Sequence, residues 1–141
     1  MSVTYLEAIR EAQARALRDD PRVFIYGQDV GAFGGAFKAT KNLAKEFPGR
    51  VLDSPISEDA MIGLAVGAAI EGMRPIIEMQ FADFSTVGFN QIVNQAATLF
   101  WRTNVPCTSP CACRSVARPA ADRFTASASR RFTRIIPASS C

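Results

Sequence analysis

The chain contains no histidine. That removes the commonest general base and the commonest metal ligand, so Ser/His/Asp and Cys/His mechanisms are excluded within it. Cysteine is missing from the first 106 residues and then occurs at 107, 111, 113 and 141. The C-x3-C-x-C spacing does not suit zinc, and no histidine can complete the set, so no metal site is expected. No apolar run is long or continuous enough to span a bilayer, and the N-terminus lacks the apolar core of a signal peptide. A cytoplasmic protein without membrane association is expected. G-K-[ST] is absent too, and the glycines at 27, 31, 34 and 35 do not match G-x-G-x-x-G. The loop GQDVGAFGGAF is therefore read as a flexible turn region rather than a nucleotide-phosphate loop.

What is present suffices for one domain with a real core: 141 residues, 48% of them hydrophobic and 21% charged. The net charge of +3 is unevenly spread. Residues 1–106 carry ten Lys/Arg against twelve Asp/Glu, whereas residues 107–141 carry six Arg, no Lys and only Asp122. A basic tail of this kind admits a non-catalytic, nucleic-acid-associated protein, whose binding would be salt-dependent.

Periodicity organises the first 106 residues. Leu6, Ile9, Ala12, Ala16 and Leu17 fall on one face of a helix over 4–18, with Ser2 or Thr4 as cap. VFIYG (23–27), RVLD (50–53) and RPIIEMQF (74–81) read as strands. Helices are expected over about 38–47, from a Ser57 cap to about Glu71, and over roughly 86–101, the last carrying Phe89, Ile92, Val93, Ala96 and Phe100 inward. Alternating strands and helices predict an α/β fold, a parallel sheet flanked by helices. Ligands in such sheets bind at the carboxyl ends of the strands, where the Ile56–Glu58 turn and the Gln80–Phe84 segment lie. Gly63, Ala65, Gly67, Ala68 and Ala69 mark helix 58–71 as one that packs closely against a neighbour. Two acids, Glu58 and Asp59, open that helix. Its dipole favours acids there by about 0.3–1 kcal/mol, so local physics explains both equally and separates neither.

The blocks TYLEAIREA, VFIYGQDVG, GGAFKATKNL, DSPISEDAMIGLAVGAAIEGMRPIIEMQFADF and FNQIVNQAA resemble, in order and spacing, the beta subunit of thiamin-diphosphate-dependent 2-oxo acid dehydrogenases. This is the decarboxylating component of the pyruvate and branched-chain complexes, and acetoin dehydrogenase is closely similar. The resemblance covers about residues 3–106. It implies a transketolase-like pyrimidine-binding domain, incomplete at its C-terminal end, with thiamin diphosphate as cofactor and Mg²⁺ bound through the alpha subunit. The implied partners are that alpha subunit in an α2β2 heterotetramer, a lipoyl-bearing acyltransferase and a small 2-oxo acid, with no nucleic acid.

By the same resemblance Glu58, in P-I-S-E, is the carboxylate that bonds the pyrimidine N1′ and promotes the tautomer able to take the thiazolium proton. Asp59 is then the helix-start acid. Ile56, Gln80 and Phe84 match positions that surround the aminopyrimidine. Gln28 stands where the family usually has glutamate, in G-Q-D-V-G for G-E-D-V-G; a neutral amide can hydrogen-bond there but cannot share a proton. A transketolase-like or deoxyxylulose-phosphate-synthase-like enzyme is the alternative on the same fold, and the G-Q-D-V-G and Q-F-A-D-F blocks argue against it.

The resemblance stops at Cys107. Residues 107–141 are expected to be a non-native, disordered tail without strands, leaving the sheet edge unpaired. Re-read in one displaced frame, with suitable first bases, they give a string containing V-R-V-P, H-S-Q and P-G-L-K, which resembles the family's continuation. The expectation is an out-of-frame tail on a truncated subunit that is inactive alone.

Overall fold

The computed structural model describes residues 3–104 and 112–115. Helix α1 (Tyr5–Asp19) starts with a capping box: the Thr4 hydroxyl accepts from the Glu7 N–H, and the Glu7 carboxylate accepts from the Thr4 N–H at 2.9 Å. It buries Ile9, Gln13, Ala14 and Leu17, while Ala12, expected inward, is exposed. Strand β1 (Val23–Gly27) follows, then α2 (Leu43–Glu46), β2 (Val51–Asp53), α3 (Glu58–Ile70) and β3 (Arg74–Met79). A 3₁₀ turn (Ala82–Thr86), a π-helical segment (Gln91–Ala96), α4 (Leu99–Thr103) and β4 (Ala112–Ser115) complete the described elements.

The sheet is parallel, in the order β2-β1-β3-β4. Successive residues of β1 point to opposite faces and so feed two cores. Val23 and Ile25 pack with Ala14, Leu17, Val30, Leu43 and Val51. On the other face Tyr26 packs against Met61, Ile62, Ala65, Ile77 and Met79. The α/β fold expected from alternation is the fold observed.

Three expectations are corrected. The helix over 38–47 shrinks to Leu43–Glu46 because Lys38 and Asn42 adopt φ of 65° and 66°, outside any right-handed helix. The helix over 86–101 is broken into the 3₁₀, π and α4 pieces, and Phe89 is exposed rather than inward. Third, the tail does hold a strand. β4 pairs with β3 from Ile76↔Ala112 to Met79↔Ser115, so the β3 edge is covered there. The remaining tail, and with it the expected disorder, lies outside the described residues.

The opposite end of the sheet is held by Arg50. Its guanidinium donates to the carbonyls of Leu17 (2.7 Å), Val23 (2.6 and 2.9 Å) and Asp20. One side chain thus ties the end of α1 to the start of β1.

Candidate functional site

The strand order reverses direction at β1: the chain moves from β1 out to β2, then crosses back to β3 on the other side. That switch point lies at the carboxyl ends of β1 and β3, the usual ligand position in such sheets. Gln28 follows β1 directly, Gln80 follows β3, and Glu58 starts the helix that crosses between them.

Gln28 is buried at 6% exposure, and its Nε2 donates to Glu58 Oε1 at 3.1 Å. The same amide nitrogen lies 3.8 Å from Met61 Sδ, one turn into α3. Ser57 occupies the N-cap position of α3, but its hydroxyl makes no capping bond and turns back to the Pro55 carbonyl at 3.4 Å. The cap expected of its side chain is therefore absent. Glu58 is half-buried and faces the loop. Asp59 faces away, its Oδ2 accepting from Gln91 Nε2 at 3.1 Å. Two adjacent acids thus have different partners on different elements.

The other expected residues lie in the segments that follow β2 and β3. Phe84 packs edge-on against Phe81 at 5.2 Å between ring centroids, and Phe81 against Phe37 at 5.6 Å, so an aromatic row joins the end of β3 to the glycine-rich loop. Gln80, directly after β3, is half-buried. Ile56 is 83% exposed, a large apolar side chain with little of its own chain to cover it. Of the five expected residues, hydrogen bonding joins Gln28 and Glu58, while Phe84 is tied by ring contact to Phe81.

One buried acid was missed. Glu78, on β3, is 4% exposed, and burial pushes its carboxyl from the ordinary 4.5 up to about 7. The available signal was a charged residue inside PIIEMQF, an otherwise apolar strand. Parallel strands covered on both faces seldom carry one.

A half-buried carboxylate held by an amide at the switch point of a parallel sheet marks an α/β domain with a candidate ligand site at its strand ends. The family described as "Transketolase, pyrimidine binding domain" matches residues 1–114, and the chain belongs to it. The match runs past residue 106, where the domain was expected to end, and into β4.

Its relatives are more particular. The chain is 46% identical over 117 residues to the 2-oxoisovalerate dehydrogenase subunit beta of Bacillus subtilis (strain 168), covering 82% of this chain and 36% of that protein. It is 44% identical over 103 residues to the protein of the same name from Pseudomonas aeruginosa, covering 72% and 29%. It is also 44% identical over 100 residues to the chloroplastic pyruvate dehydrogenase E1 component subunit beta-3 of Oryza sativa subsp. japonica, covering 70% and 26%. The resemblance to the beta subunits of 2-oxo acid dehydrogenases is borne out by these relatives, of which the chain spans about a third or less.

Proposed function

We propose that the chain supplies the aminopyrimidine side of a thiamin diphosphate site for the oxidative decarboxylation of a 2-oxo acid, as part of a dehydrogenase beta subunit. The observation that carries this is the bond from Gln28 Nε2 to Glu58 Oε1 at the switch point. The residues present fit the group: a carboxylate acceptor for a ring nitrogen, and apolar surface from the exposed Ile56 and the partly buried Phe84 for the ring faces.

When bound, thiamin diphosphate supplies the electron sink for loss of carbon dioxide. Glu58 would hold the proton at the pyrimidine N1′, and Gln28 fixes the direction of that carboxylate. An amide cannot pass a proton on, so a relay through the loop stops at Glu58. Gln80 and Phe84 would border the ring, and the exposed Ile56 would be covered by it.

The diphosphate and Mg²⁺ would be held by an alpha subunit in an α2β2 heterotetramer, with the acyl group passed on to a lipoyl-bearing acyltransferase. Residues 1–141 alone are then inactive, because half the site belongs to another chain.

The test uses a beta subunit that continues the family sequence beyond residue 106, assembled with its alpha partner. Glu58→Gln is expected to reduce 2-oxo acid decarboxylation by about 10²-fold or more, with assembly intact. Near-normal turnover would refute the assignment. Ketol transfer in place of decarboxylation would favour the transketolase-like alternative.

A further inference from the structure

Glu78 lies outside the residues grouped above, yet it touches the loop that carries Gln28 at two places. Its Oε2 has no hydrogen-bond partner among the described residues. Strand register sets Glu78 opposite Gly27, the last residue of β1. A Cβ on Gly27 would come within 2.7 Å of the Glu78 carbonyl oxygen, so only glycine allows this approach. Further along, the loop passes over the carboxyl group at Gly35, where a Cβ would lie 2.5 Å from Glu78 Oε1 and 3.2 Å from Thr40 Oγ1. Gly35 also has a φ of 81°, which a residue with a Cβ adopts only with strain.

The loop carries this support back to the site. The Gly35 N–H donates to the Asp29 carbonyl at 2.7 Å, one residue from Gln28. The Thr40 N–H donates to the Gly34 carbonyl at 3.2 Å, and the Thr40 hydroxyl donates to the Val30 carbonyl at 2.8 Å. A short continuous path therefore runs from the Glu78 carboxyl through Gly35 and Asp29 to Gln28 and Glu58.

We propose that Glu78 is a positioning residue: its buried carboxyl supports loop 28–40 from beneath and so holds the Gln28 amide on Glu58. Its meaning for catalysis rests on the reading of Glu58 given above. The neighbours from β1 and the loop are Gly27, Gly35 and Thr40, none of which ionises near neutrality. On β4 its register partner is Arg114. Desolvation is the cause of its raised pKa. A neutral carboxyl can lie beneath the loop, whereas a carboxylate with an unpartnered oxygen requires water and drives the loop outward.

Amide hydrogen exchange on the full chain, corrected for the intrinsic rate, reads the opening at the Gly35 and Thr40 N–H groups. Protection at both is expected to fall as pH rises from about 4.5 towards 7, by up to about tenfold per pH unit, and to level off above 7, while the Ile25 N–H in β1 holds. Glu78→Gln keeps the shape without the charge and is expected to flatten that dependence. The Gln28 side-chain amide resonance should follow the loop in the wild type and cease to do so in the variant. Protection independent of pH in the wild type overturns the proposal, and needs no variant to fold. The same pH dependence in Glu78→Gln overturns it equally, and a Gln28 resonance that stays fixed while the loop opens overturns the link to Glu58. None of these readouts involves the cofactor, so failure of the decarboxylation test would bear on Glu58 alone.

Discussion

Glu58 and Glu78 lie twenty positions apart on adjacent elements, and their surroundings differ. Glu58 sits half-buried at a helix start with an amide on one oxygen. Glu78 is enclosed, and its carboxyl holds a proton up to about pH 7. Because the folded state binds that proton more tightly than the unfolded chain, its contribution to stability is complete below the ordinary 4.5 and is lost as pH rises towards 7. At about 1.4 kcal/mol per pH unit, the loss is on the order of 3 kcal/mol. Other acids have their own pH dependence, so the difference between variant and wild type isolates this one. Urea denaturation of Glu78→Gln is expected to lack this decline; parallel stability curves for the two proteins would contradict it. Sequence reasoning ranked Glu58 above Asp59 only through resemblance, since the helix dipole treats both alike. It missed Glu78 because burial is a property of the assembled sheet.

At the scale of elements, the strands and the outer helices were legible, and the connections were not. VFIYG is a run that only a buried strand uses well, and the α1 face recurs at helical spacing. Helix 38–47 failed because composition cannot show that Lys38 and Asn42 take left-handed backbone angles; the tertiary path of the loop sets those. Helix 86–101 failed for a related reason: its apolar residues have helical spacing, but the chain changes winding between Ala82 and Thr103. Arg50 was also invisible, since its partners at Leu17, Asp20 and Val23 are remote in sequence. Replacing it with methionine keeps much of the stem and removes the donors from three carbonyls. A stability loss of about 2–4 kcal/mol is expected, read as a lower urea midpoint. A loss under about 0.5 kcal/mol would mean water replaces the guanidinium without cost.

For the whole molecule, the question is what residues 107–141 are. We propose that they are read out of frame: in the displaced frame, with suitable first bases, they regain V-R-V-P, H-S-Q and P-G-L-K. Sequencing the gene and its transcript is expected to find an inserted or deleted base close to codon 107. An intact reading frame with no such change would rule the proposal out. The family match to residue 114 and the pairing of Ala112–Ser115 on β3 show that the sheet accepts a fourth strand in that position.

The order of the sheet also governs how the chain is made. β1 leaves the ribosome first among the strands, yet both of its neighbours are encoded later, β2 ending at Asp53 and β3 at Met79. At synthesis rates of about 5–20 residues per second, Val23–Gly27 waits roughly 3–10 s for its second partner. Through that interval an apolar nascent segment has bare backbone on at least one side, which makes it a natural binding site for chaperones. An inner strand of the finished sheet is thus bare for longest during its birth.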